Sequence, residues 1–144
     1  MENPDTSYNR LSLLYSSIST QISSSVAKPC FCTIAPMHIA EWNHLRLNQH
    51  KTSFLLHYHQ YEDMQINIIN AICLINRFII SLNISNQMFT PKIADDIITK
   101  KGSKRPTYRV QYNLLDDGCH PLPPINTSWA KALLHAVEKN RQDI

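Results

Sequence analysis

Between Tyr61 and Leu82 the apolar residues Met64, Ile68, Ile72, Ile75, Ile79 and Leu82 recur every three or four positions. That period is helical, so they form one continuous stripe, and whatever fold the chain adopts must cover it. Glu62 and Asp63 sit where the first turn would be and complement the helix dipole there. Asn83-Ile84-Ser85-Asn86 ends the pattern. Further Ile and Phe residues widen the stripe, which predicts that this helix packs against a sheet. Asn67, Asn70, Asn76 and Arg77 interrupt the run from Ile66 to Leu82, so no membrane span is expected.

The remaining elements are weaker. Leu11, Leu14, Tyr15, Ile18, Ile22 and Val26 fall at helical spacing on a Ser-rich segment, after a polar stretch expected to fray. Lys28-Pro29 stops that helix. Cys30-Phe31-Cys32-Thr33-Ile34-Ala35 then reads as a buried strand ended by Pro36. Residues 37–59, rich in polar and His residues around Trp42, Leu45 and Leu47, read as a long surface connection. Gln87–Thr90 reads as a short strand, Ile93–Ile98 as a helical turn and Thr107–Tyr112 as an extended segment. Asn126 or Thr127 caps a last helix from Ser128 to Arg141, with Trp129, Leu133 and Val137 (and Ala132 and Ala136) as its buried face. This alternation predicts an α/β fold with a small, mainly parallel sheet, divided into a polar N-terminus and weak helix (1–27) and a main unit (28–144).

With 144 residues the chain suits one domain. It has only two glycines, Gly102 and Gly118, which excludes a phosphate-binding P-loop, a dinucleotide fingerprint and a Gly-x-Ser-x-Gly elbow. Four cysteines, Cys30, Cys32, Cys73 and Cys119, have no disulfide-framework spacing, and no signal peptide is evident. Reduced thiols and a cytoplasmic location are therefore expected.

Asp117-Gly118-Cys119-His120, followed by Pro121, is the clearest chemical motif. An Asp three residues before a His can hold the imidazole in one tautomer and stabilise its protonated form, which suits a general base. The stretch from Lys28 onward resembles the second half of an SGNH-type (GDSL-like) hydrolase. Cys30–Pro36 is similar to that family's late core strand, and Tyr112–Pro121 is similar to its final Asp-x-x-His block. The closing helix with Trp129 fits as well, and similar segments occur in animal proteins associated with mobile elements. The resemblance implies a partial flavodoxin-like three-layer fold, ester hydrolysis without cofactor or metal, Asp117 as orienting acid and His120 as general base. The family's Gly-Asp-Ser and Gly-x-Asn-Asp blocks have no match here. The expected protein is thus a truncated esterase domain, inactive by itself, that forms a homo-oligomer or joins a complementary N-terminal half.

Other readings stand beside it. The chain could be a non-catalytic interaction module with Asp117–His120 as a structural turn. Zinc ligation could draw on Cys30, Cys32, His38, His44, His50, His57, His59, Cys119 and His120, although no spacing matches a zinc site. Cys119 could serve as a nucleophile beside His120. The formal charge of +3 is concentrated at Lys100, Lys101, Lys104, Arg105 and Arg109, which could contact nucleic-acid phosphates. The cluster of Lys100, Lys101, Lys104, Arg105 and Arg109 is read as a solvated loop rather than a base-stacking platform.

Overall fold

The long stripe becomes the central helix of the structure. In the computed structural model, which describes residues 4–23, 28–50, 58–105 and 107–142, the described residues form four α-helices and one small hairpin. The helices are α1 (Pro4–Ser23), α2 (Ile39–His50), α3 (Tyr58–Ser85) and α4 (Pro123–Gln142). The hairpin pairs β1 (Ile98–Lys101) with β2 (Thr107–Val110), antiparallel, in the register Ile98 to Val110 and Lys101 to Thr107. Short 3-10 turns at Ile93–Asp96 and Tyr112–Leu114 flank the hairpin. Ile75 and Ile79 of α3 are fully buried, and Ile97, Ala94, Leu115 and Ala136 are buried as well. α1 packs along α3, where Tyr8 meets Phe78 edge-on at 6.4 Å and the Asn86 amide donates to Ser19 Oγ at 2.8 Å.

Residues 28–38 lie extended against α3 but join no sheet. Three carboxamides of α3 supply their hydrogen bonds. Asn83 accepts from the Phe31 N–H at 3.0 Å and donates to the Phe31 carbonyl at 2.7 Å. Asn76 does the same for Ile34, at 2.6 and 2.9 Å. Gln65 accepts from the Ile39 N–H at 2.9 Å and donates to the Met37 carbonyl at 2.8 Å. Helical geometry explains the match. Gln65 and Asn83 are five turns apart, and Asn76 falls within about 20° of the same line. They span about 27 Å along the helix axis at 1.5 Å per residue. Phe31 to Ile39, running the opposite way, covers about 26 Å at 3.3 Å per extended residue. On its other side the segment meets the loop before β1: the Thr33 N–H donates to the Pro91 carbonyl, and Thr33 Oγ1 accepts from the Ala94 N–H.

This arrangement corrects the expected α/β fold. There is no mainly parallel sheet and no flavodoxin-like layering; among the described residues the only sheet has two antiparallel strands. Cys30–Ala35 is extended, as its apolar composition suggests, but amide side chains replace the neighbouring strand that a sheet would need. Gln87–Thr90 is a turn and coil, with its tight bend at Gln87 (φ 58°). Part of the stretch read as a surface connection forms α2, while 51–57 lie outside the described residues. α1 begins at Pro4, inside the stretch expected to fray. α4 starts earlier than expected, on Pro123-Pro124, since proline is tolerated in a first helical turn.

Only part of the expected face of α4 turns inward: Trp129 and Ala132 are half-buried and Ala136 is buried, as expected. Ser128 Oγ donates to Asp96 at 2.8 Å, and Asn140 accepts from the Phe89 N–H at 2.7 Å. Leu133 and Val137, expected inside, are 42% and 55% exposed. The close approach of α4 to the turn at Ile93–Asp96 takes small and polar residues, which displaces the larger apolar ones outward. By length and composition Glu62–Ser85 could cross a membrane, and less than a third of it is buried. Core helices pass the same test, and the Asn76 and Asn83 amides in this stretch are committed to residues 31–34.

If the carboxamides hold the extended segment, Asn83→Ala should cost about 3 kcal/mol in urea denaturation, since it strands both polar groups of Phe31. Asn70→Ala, at an exposed position of the same helix, should stay within about 0.5 kcal/mol. Equal effects at the two positions would remove this account of the packing.

Candidate functional site

The Asp117 block is a closed turn. Leu115 and Pro121 form an antiparallel bridge, the Asp116 N–H donates to the His120 carbonyl at 2.6 Å, and the Leu122 N–H donates to the Leu114 carbonyl at 3.0 Å. Inside it, Asp117 Oδ1 accepts from the N–H groups of Cys119 at 3.1 Å and His120 at 2.9 Å. Its Oδ2 lies 2.7 Å from His120 Nδ1. The two residues expected to pair therefore do so. A carboxylate there favours the tautomer with the proton on Nδ1, leaving Nε2 as the free acceptor. The His120 backbone N–H, with its ring and the Cys119 N–H, holds the Asp117 carboxyl below its ordinary value of 3.8. The His120 side chain is 67% exposed, with the Trp42 indole 5.8 Å away.

Gly118 ties this turn to α2. Its φ is +76°, and a Cβ there would lie 2.7 Å from the His38 carbonyl oxygen. The Gly118 carbonyl accepts from the His38 N–H at 2.6 Å, just before α2 begins. His38 in turn stacks on Tyr112, with ring centroids 4.5 Å apart and an interplanar angle of 22°. Its Nδ1 is 3.3 Å from Glu41, a second imidazole–carboxylate pair. The Tyr112 hydroxyl accepts from Gln65 Nε2 at 2.6 Å, and burial pushes its pKa up to about 12. One α3 carboxamide thus holds the segment before α2 and the aromatic pair beside it.

Next to this pair a cleft of about 640 Å³ opens, lined by His38, Asp63, Gln65, Ile66, Ile69, Tyr108, Arg109, Tyr112 and others. Asp117 and His120 are not among its lining residues.

No protein-family model, curated protein or solved structure matches this chain. What the site can do follows from its own groups. Among the described residues, no Ser, Thr or Cys side chain hydrogen-bonds the His120 ring, and no three His, Cys, Asp or Glu side chains converge as metal ligands. Cys30 donates instead to the Phe89 carbonyl at 3.2 Å, and burial raises the pKa of both Cys30 and Cys32. The side chains of His50, His57 and His59 lie outside the described residues. Cys119 gives its backbone N–H to Asp117.

The cations fall on the hairpin. Lys100, Lys101, Lys104, Arg105 and Arg109 are all exposed, and none of them pairs with a carboxylate among the described residues. The strand register sets Tyr108 across from Lys100 and next to Arg109. An aromatic side chain therefore accompanies the basic cluster, whose cations are solvent-exposed. Sequence reasoning also missed His38, Gln65 and Tyr112 as a unit. The available signals were the five-turn spacing of Gln65 and Asn83 and the alternation of Tyr108, Arg109 and Tyr112 beyond the lysines.

Gly118→Ala should destabilise the protein by about 2 kcal/mol, from positive-φ strain and the clash with His38. A second expectation concerns pH. The folded-state pKa of Asp117 is depressed, so its stabilisation is present above the unfolded value and lost as pH falls through the folded one. In urea titrations the wild-type advantage over Asp117→Asn should be full at pH 6 and shrink as pH drops below 3.8. An advantage that stays constant from pH 6 to pH 2 would contradict it.

Proposed function

We propose that this chain is a non-catalytic module that binds nucleic acid through the β1–β2 hairpin. The observation that carries this reading is the charge distribution. From Ile97 to Leu115 there is no acidic residue, while five of the chain's fourteen Lys and Arg residues cluster there. The other nine face eleven carboxylates, so outside the hairpin the protein is slightly acidic. Five exposed cations on one short ribbon give a local field that attracts a polyanion and orients it on this face.

The Asp117 block supports a binding module rather than an enzyme. Its carboxylate is satisfied by two backbone N–H groups and an imidazole, the bonding of a rigid turn. That turn buttresses α2 through Gly118. A second reading, ester hydrolysis completed by a nucleophile on another chain, has in its favour the 2.7 Å contact between Asp117 and His120. It lacks the parallel-sheet fold that the hydrolase resemblance implies. p-Nitrophenyl acetate separates the two: a binding module should give no turnover above buffer, and turnover abolished by His120→Ala would favour the hydrolase.

The binding reading is tested by fluorescence anisotropy with a labelled 12-nucleotide oligomer. Four or five phosphate contacts should make log K fall with log salt at a slope of about −3 to −4 for a single strand. Lys100→Glu with Lys104→Glu should weaken binding more than tenfold and flatten the slope. Absence of binding at low salt, or binding indifferent to this double substitution, would overturn the proposal.

A further inference from the structure

The hairpin does more than present charge, because its second strand also forms part of the cleft. We infer that this cleft receives an unpaired base, so that the nucleic acid bound is single-stranded. The inference rests on the nucleic-acid reading of the hairpin and specifies its ligand.

Three features of the cleft argue for a heterocycle. Aromatic surface comes first. Tyr108, Tyr112 and His38 all line it, and the last two are already stacked at 4.5 Å, so a further ring could extend that stack. Apolar surface is the second. Ile66 and Ile69 line the same cleft, and Ile66 is 58% exposed, a large side chain left open where a base face could cover it. Charge is the third. Glu62 and Asp63 line the cleft against the single cation Arg109, while Lys100, Lys101, Lys104 and Arg105 lie outside it, so phosphate is drawn to the ribbon rather than to the interior. A ligand with an anionic backbone and an uncharged, amino-bearing ring fits both halves. Carboxylates accept hydrogen bonds from exocyclic amino groups, as on cytosine or adenine. Arg109 belongs to both regions and links them.

The volume agrees. Pockets for small organic ligands run to about 300–1,000 Å³, and this cleft has about 640 Å³. Its walls are held before any ligand arrives, since Gln65 fixes Tyr112 and the Gly118 carbonyl fixes the His38 backbone. A base inside a duplex is paired and stacked and cannot enter, whereas a single strand offers its rings freely.

The test compares four probes at low salt: a 12-mer of oligodeoxycytidine, a 12-base-pair duplex, inorganic polyphosphate of similar charge, and vesicles of phosphatidylglycerol with phosphatidylcholine. The single strand should bind at least tenfold more tightly than the duplex or the polyphosphate. Tyr108→Ala should lower single-strand affinity about tenfold and leave the other two unchanged. Tyr108→Trp should restore it, with circular dichroism checking that each variant folds. Equal affinity for all three polyanions, or no effect of Tyr108→Ala, would overturn the base pocket while leaving the charge reading intact. Loss of all binding in wild type would remove both. Tighter binding to the vesicles than to the oligomer would overturn both in favour of an anionic membrane surface.

Discussion

The structure depends on hydrogen bonds between side-chain amides of α3 and the backbone of residues 31–39. An extended segment buried against a helix has a problem: its N–H and C=O groups face a surface whose own backbone is already paired. Leaving such groups unmet costs about 1–3 kcal/mol each. Gln65, Asn76 and Asn83 meet six of them, two per amide, on a helix whose stripe is otherwise apolar. A carboxamide has one acceptor and one double donor, so a single side chain can copy the edge of a strand.

From that pairing the rest of the architecture follows. The segment lies beside α1 on α3, where Tyr15 meets Phe31 edge-on at 5.0 Å, and the turn at Ile93–Asp96 packs over it through Thr33. Its far end delivers His38 to the start of α2, where Gln65 also reaches Tyr112. Gly118 then locks the Asp117 turn onto the same point. The cleft and the hairpin are therefore built on a rigid base, which suits recognition by preformed surfaces.

Much of this was legible in the residues. The helical period of Met64 to Leu82 marked α3, Ile93–Ile98 suggested its short turn, and Asp117 with His120 foretold a close pair. What misled was the apolar run Cys30–Ala35. Composition distinguishes an extended segment from a helix, but it does not say what will pair with the backbone. The answer lay in Asn76 and Asn83, which read only as interruptions of a hydrophobic stripe or as its end. Their role depends on a partner forty to fifty residues away, which no local pattern encodes. On α4 the sequence placed Ala136 correctly but not Leu133 and Val137, because the close approach at Ser128 and Asn140 outweighed their pull. In the cleft, Tyr108 carried a visible signal that its distance from the lysines obscured until the hairpin register brought Lys100 opposite.

Native-state amide hydrogen exchange at Phe31 and Ile34 tests the central pairing most directly. If Asn83 and Asn76 hold these two N–H groups, both should exchange only by global unfolding, with protection equal to that of Ile79 in the core of α3. Exchange at Phe31 and Ile34 close to the rate of an unstructured chain, with Ile79 still protected, would contradict the account.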